Sequence, residues 1–404
     1  MMDKGRKNTV DIAIIGGGIA GLWTLARLQQ SGYQAVLLEA QALGCVQSGA
    51  SQGIIHGGTK YALTGKLTHS SQAIQQMPQR WKDCLEGRGE VDLTKARKLS
   101  DHQYLWSNKN LTSRLTGFFA SKVMSSRMQH LSVQDYVPPF NRSAFHGNLY
   151  QLDEPVLDIH SVIEAIREQF QPFILHMAVD EINSDASSSN YQIKSSDKSH
   201  TLNAKTLIFA AGAGNEKLLS HANLQQPQLQ LRPLLMPMLK ANESVLPKMY
   251  AHCLGASALP KMTITAHQLA SEVVWYLGGE IAETGVGRSN DEQVQAAKEE
   301  LQTLMPWMDF SQCQWSTLAI DRAEPKMQDG SRPSEPAVFR DKSRRNNIIT
   351  AWPVKLAMAP IMVDKIVLEL EQLGIEKNSR AIDLTDIPLA QTSPLPWDKV
   401  QNWL

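Results

Sequence analysis

The residues of this chain best suited to chemistry lie near its start. Gly16-x-Gly18-x-x-Gly21 follows an apolar run over residues 10–15, and Glu39 closes a second apolar run over residues 35–39. Each residue type has a physical task. Gly16 permits a tight strand-to-helix turn, Gly18 lets backbone approach a pyrophosphate, and Gly21 lets the helix pack closely on the strand. Free N–H groups at the helix start face the phosphates. Glu39 comes about 20 residues later, where a carboxylate can hold the ribose hydroxyls of an adenosine. Together these residues predict capture of an adenine dinucleotide.

A second reactive stretch is Ser48-Gly-Ala-Ser-Gln-Gly-Ile-Ile-His-Gly-Gly-Thr-Lys-Tyr61, whose many glycines imply close backbone approach to something. It carries His56, an imidazole suited to proton transfer near neutral pH, and the cation Lys60. Further along, Thr206–Ala211 reads as a buried strand running into Gly212, another tight approach. Lone histidines such as His252 and His267 read as structural, and Trp275-Tyr276 as core residues of a strand.

Elements must position these groups. Periodicity predicts helices over residues 21–30, 67–85, 159–170, 290–304 and 357–373, with a helix-like stretch at 115–128. Strands are predicted over 35–39, 173–182 and 348–352, with a strand-rich region over 229–276 and a polar hairpin turn at 186–190. Turn-forming segments recur near the start, near Gly212 and near Pro353. One continuous nucleotide-binding domain would not need the last two; a domain assembled from separate pieces would.

Composition narrows the classes. At 404 residues the chain exceeds the ~150-residue domain prior, so two domains are expected. Forty basic residues balance forty acidic ones, which argues against nucleic acid as a partner. The cysteines Cys45, Cys84, Cys253 and Cys313 form no C-x-x-C pair, so neither zinc nor an iron–sulfur cluster is expected. No run reaches the ~18 apolar residues of a membrane span, and the polar start lacks a signal region, so a cytoplasmic location is expected.

Three motifs together resemble the FAD-dependent oxidoreductases of the D-amino-acid oxidase type: the glycine fingerprint, Lys205-Thr-Leu-Ile-Phe-Ala-Ala-Gly212, and the segment from Ser48 to Tyr61. The last of these is similar to a stretch of flavin-dependent glycerol-3-phosphate dehydrogenases and, more loosely, of L-2-hydroxyglutarate dehydrogenases. The resemblance implies an α/β (α+β) chain: a discontinuous Rossmann-like FAD-binding domain with an inserted substrate domain built on an antiparallel sheet. The FAD-binding pieces would be 1–85, 151–220 and 321–390, the substrate pieces 86–150 and 221–320, with 391–404 as a tail. FAD would be held by Gly16, Gly18, Ile19, Ala20, Gly21, Glu39, Ala40, Ser48, Ala50, Ser51, Ile55, Val179, Ala211, Gly212, Lys355 and Leu356. Catalysis would draw on His56, Lys60, Tyr61, Arg322 (in Ile-Asp-Arg-Ala-Glu-Pro325) and Lys355 (in Trp-Pro-Val-Lys-Leu). Lys60 stands where the glycerol-phosphate enzymes have arginine, and Pro353-Val354 replace two glycines beside the flavin.

The implied activity is oxidation of a small anionic substrate at a CH–OH carbon, by hydride transfer to the flavin. An amino-acid or amine oxidase acting on CH–NH is the alternative, and a flavin-binding complex subunit without turnover is a third reading. Oxygen, a quinone or a partner protein could accept the electrons. A quinone would place the protein peripherally on the inner face of a membrane.

Overall fold

The computed structural model describes residues 8–58, 74–107, 128–185, 190–254, 259–341, 347–378 and 382–404. Two large sheets carry the fold. In the first, the order is β17 (Ala337–Phe339), β18 (Ile348–Trp352), β11 (Thr201–Phe209), β1 (Thr9–Ile15), β2 (Ala35–Glu39) and β8 (Ile174–His176). The pairings from β18 through β8 are parallel, while β17 runs antiparallel to β18. The hairpin of β9 (Val179–Asp185) and β10 (Asn190–Ser195) joins this sheet through β11.

Strands so uniformly apolar must bury both faces, and alternation sorts them. Ile12, Ile14, Leu37, Ile208 and Ile349 face a core shared with helices α1 (Ile19–Gln30), α3 (Ile159–Phe170) and α7 (Ala359–Gln372). Ala13, Ile15, Val36, Leu38, Leu207 and Phe209 face the other way, against the β9–β10 hairpin and α4 (Asn215–His221). The helix α2 (Met77–Leu85) joins the first core through Trp81, whose indole N–H donates to Ala357 O at 3.0 Å.

The second sheet has the order β16 (Gln314–Pro325), β12 (Leu229–Asn242), β15 (Glu272–Gly278), β14 (Met262–Leu269), β13 (Tyr250–Cys253), β4 (Gln103–Ser107), β6 (Asn148–Leu152) and β5 (Met128–His130). It is antiparallel except between β13 and β4. A short pair, β3 (Lys98–Ser100) with β7 (Val156–Leu157), lies apart from both. Leu239, Ala241, Val273, Trp275 and Leu277 face a core that includes α6 (Asn290–Leu304), whose start is fixed by a Ser289–Glu292 capping box. Met236, Met238, Val274 and Tyr276 face the opposite side, next to α5 (Glu280–Thr284).

Several expectations shift. The segment 391–404 is no loose tail: Leu395, Trp397, Val400 and Trp403 cover that second sheet face, and Leu404 exchanges backbone hydrogen bonds with Trp315 at 2.8 and 2.9 Å. Strands β6 and β16 run past the expected junctions at 150 and 320, because β6 stays paired with β4 as far as Gln103↔Leu152 and β16 with β12 as far as Leu229↔Pro325. The stretch 173–182 is two strands, since the chain turns where Met177 N donates to Glu39 O at 2.8 Å. Met128 opens β5; the helix-like residues 115–127, the first part of the 67–85 helix and the hairpin turn 186–189 lie outside the described residues. No helix among the described residues is long and apolar enough to cross a membrane.

Candidate active site

The turn from β1 into α1 has no room for side chains. Gly16 has φ +118°, and a Cβ there would stand 2.6 Å from Ala211 Cα; one on Gly21 would stand 1.9 Å from Gly16 O. The carboxylate of Glu39 accepts from Gly17 N at 2.6 Å and, across Ala40, from Gln41 N at 2.7 Å. Ser48 Oγ accepts from Ile19 N at 2.9 Å, one residue before Ala20 in the first helical turn. Two amides at the helix start are therefore held by side chains rather than left open. A bound pyrophosphate would compete with Ser48 and a ribose hydroxyl with Gly17.

Across the sheet, Ala211 N donates to Asn215 Oδ1 at 2.8 Å. Gly212, with φ +60°, takes the Trp352 indole N–H at 3.0 Å. Val179 opens β9 two residues after the contact between Met177 and Glu39. An acid at the end of β2, a glycine turn at Gly16 and Gly21 with no room for side chains, and Gly212 in a left-handed conformation fit an adenine dinucleotide.

The segment after Ser48 is stitched to the second sheet. Gln47 Oε1 accepts from Ala323 N at 3.1 Å, and Ala50 O accepts from the Tyr276 hydroxyl at 3.0 Å. Gln52 Nε2 donates to Tyr276 O at 3.0 Å and Thr263 O at 3.1 Å. Ser51 N returns to Ser48 O at 3.1 Å, and Ile55 N donates to Pro155 O at 3.0 Å. The chain thus crosses from β16 toward β13 and delivers His56 there. His56 Nδ1 lies 3.7 Å from Glu154 Oε2, and its ring stacks on His252 at 5.6 Å. Glu154, almost fully buried, also accepts from Gly57 N at 2.6 Å and from the Gln103 amide. His252 is fixed by Thr263 Oγ1 at 2.7 Å. His267 stacks on Trp397 at 4.2 Å, away from His56, and burial lowers its pKa to about 4.

Cations gather at the other side. Arg322 on β16 donates to Glu283 Oε1 at 3.1 Å, and Glu283 also takes Arg332 at 2.6 Å. Directly opposite Arg322, on β12, stands Arg232, whose fork grips Glu324 at 2.5 and 2.8 Å. Burial, and then the charge of Arg232, lowers the pKa of Arg322. The same two causes lower Lys355 from its ordinary 10.5 to about 8. Arg232 thus stands opposite Arg322, and its charge also acts on Lys355. His56 is not part of this group: β13 lies four strands from β16, about 19 Å at ordinary strand spacing. Lys60 and Tyr61 lie outside the described residues.

Arg232, Glu154, Gln103 and Glu283 were not predicted. None carries a local signal: Arg232 is one of several polar residues in β12, with Gln230, Lys240 and Asn242.

Lys355 and Leu356 follow a strained turn. Val354 has φ +63°, and Lys355 N donates back to Pro353 O at 2.6 Å. A β-branched residue there is an outlier, in a conformation natural to glycine. Val354→Gly is expected to raise stability by about 1 kcal/mol, strain relief outweighing the added freedom of the unfolded chain. A thermal melt of the variant at or below the parent would contradict this.

The profile of the FAD-dependent oxidoreductase family, DAO, matches residues 11–330. A probable FAD-dependent oxidoreductase of Pseudomonas aeruginosa, PA4991, is 42% identical over 393 residues, which is 96% of this chain and 98% of that protein. Its crystal structure superposes with a TM-score of 0.83 at 37% identity, covering 97% of this chain and 98% of that one. Glycine oxidase from Geobacillus kaustophilus shares the fold at 15% identity and TM-score 0.65, covering 96% of this chain and 100% of that one. L-alpha-glycerophosphate oxidase from Mycoplasma pneumoniae, solved with FAD bound, shares it at 12% identity and TM-score 0.62, covering 96% and 99%. This chain belongs to the DAO family of FAD-dependent oxidoreductases. Its cofactor is FAD, and the glycerol-phosphate and amine-oxidising enzymes are both among its structural neighbours.

Proposed function

We propose that the protein oxidises a small anionic substrate at a CH–OH carbon, of the glycerol 3-phosphate or 2-hydroxy acid type. The observation that carries this reading is the local excess of positive charge where Arg322 stands in register with Arg232. The charge of Arg232 acts on both Arg322 and Lys355, a surrounding suited to a small anion.

FAD, when bound, supplies the hydride acceptor. Arg322 and Lys355 hold and orient the anion. His56 stands too far from those cations to share one small substrate with them, and the role of proton acceptor is not assigned to it. Glu154 faces the His56 ring at Nδ1, and the buried Gln103 holds Glu154 in turn.

The CH–NH reading draws support from the likeness to glycine oxidase and from Arg322, since one arginine suffices to clamp a carboxylate. The deciding experiment is anaerobic addition of glycerol 3-phosphate, 2-hydroxy acids and amino acids to the purified holoenzyme. Bleaching of the flavin by a hydroxylated anion is expected; bleaching by amino acids alone would overturn the proposal. Reoxidation by oxygen or by a soluble quinone then identifies the acceptor.

A pH dependence follows from Lys355. Anion affinity is expected to fall as pH rises through about 8, where the ammonium loses its proton. The linked effect on stability has the opposite sense. Between about 8 and 10.5 the unfolded chain holds a proton that the folded one lacks, so Lys355 makes folding more favourable as pH rises across that window. Anion affinity that stays flat from pH 7 to 9.5 would remove Lys355 from the site.

A further inference from the structure

Arg232 and Arg322 face each other in register on β12 and β16. Like charges directly opposite on antiparallel strands disfavour the folded state, yet the site holds both. Their hydrogen bonds are incomplete. Arg232 spends Nε and Nη2 on Glu324, and its Nη1 is buried without a hydrogen-bond partner. Arg322 spends Nη2 on Glu283, and its Nε is likewise buried without one.

The local carboxylates do not balance the charge. Glu283 is shared between Arg322 and Arg332, and Glu324 serves Arg232 while also accepting from Gln230. Three guanidiniums therefore face two carboxylates before Lys355 is counted. Both facing side chains remain partly open, at 28% for Arg322 and 23% for Arg232. A tetrahedral oxyanion has acceptors enough for donors on two guanidiniums at once, and planar guanidinium forks match it.

We propose that Arg232 is a second anion-binding arginine, and that with Arg322 it forms a seat for a doubly charged oxyanion of the phosphate-monoester class. The inference rests on the substrate reading above and sharpens it: the site discriminates by the charge of the anion, and Arg232 is the residue that sets the preference. Glu324 acts as a positioning residue, fixing the fork of Arg232 so that its remaining edge keeps one direction.

The test uses the FAD-loaded protein and reads the change in the flavin spectrum on titration with inorganic phosphate and, separately, with acetate. In Arg232→Met, phosphate affinity is expected to fall about tenfold or more, while acetate affinity changes by no more than about twofold. Arg232→Lys keeps the charge without the fork and is expected to recover much of the phosphate affinity. Equal loss of phosphate and acetate binding in both variants would mean a merely structural strap to Glu324 and would overturn the proposal. Unchanged phosphate binding in Arg232→Met would overturn it too.

These results are separable from the substrate panel. Bleaching by amino acids alone would sink the CH–OH reading whatever Arg232 does, whereas phosphate binding indifferent to Arg232 would sink the seat even with a hydroxylated substrate in hand.

Discussion

Gly21→Val is expected to yield a purified protein without flavin. The substitution places a branched side chain where even a Cβ would stand 1.9 Å from Gly16 O and 3.2 Å from a Leu37 methyl. Neither can give way: the first is backbone in the tight turn, and Leu37 is fully buried in the sheet. Helix α1 must move off β1, and its N-terminus leaves the place where a pyrophosphate would bind. Gly16→Val should have the same outcome, because φ +118° excludes a β-branched residue and Ala210 and Ala211 leave no space. Gly18→Ala is the informative contrast. Its Cβ would meet only Ser48 Oγ, at 3.0 Å, so the protein should fold and any loss of FAD would report on phosphate contact alone. The measurement is the ratio of flavin to protein absorbance after purification. A normal ratio in Gly21→Val would refute the assignment of this turn to FAD.

Arg322→Ala should leave FAD in place and lower kcat/KM for the anionic substrate by roughly 30- to 150-fold, about 2–3 kcal/mol of charge-assisted hydrogen bonding. The side chain lies on a long, fully paired strand and its carboxylate partner, Glu283, keeps Arg332, so removal should not unravel the surroundings. If Arg322 binds the anion equally in ground and transition states, the loss will fall on KM; a fall in kcat alone would place it at the reacting carbon instead. Steady-state kinetics with the substrate found by the bleaching panel decide this. Parent-like values would remove Arg322 from the site.

Local signals carried most of the elements. The helix over 290–304 and that over 159–170 match the predicted bounds, since amphipathic spacing and the caps Ser289 and Asp158 are written in neighbouring residues. The strand at 348–352 also matches, flanked as it is by a polar stretch and Pro353. The order of the second sheet was not legible, because it depends on pairings such as Ala251↔Tyr104 between residues far apart in sequence. The site divides in the same way. Gly16, Gly21 and Glu39 are recognisable by spacing, whereas Arg232 becomes notable only when β12 lies against β16 and puts it opposite Arg322. Glu154 is similar: it reads as an ordinary acid until the chain after Gly53 brings His56 and Gly57 to it. The role of residues 391–404 was missed because apolar residues scattered as Leu395, Trp397 and Val400 show no period, yet together they cover one sheet face.

The interleaved first sheet also dictates an order of assembly during synthesis. The fingerprint strand β1 acquires one neighbour, β2, early, but its other neighbour, β11, ends only at Phe209, and β18 completes that side at Trp352. Until those segments leave the ribosome, the nascent glycine turn has no Ala211 against it and no α7 beneath it. Such long-range closure is slow and leaves apolar strands uncovered in the meantime. Cofactor loading is therefore a late event, coupled to synthesis of the chain as far as β18. A ribosome-stalled chain ending before residue 348 should not retain FAD, however intact its N-terminal fingerprint.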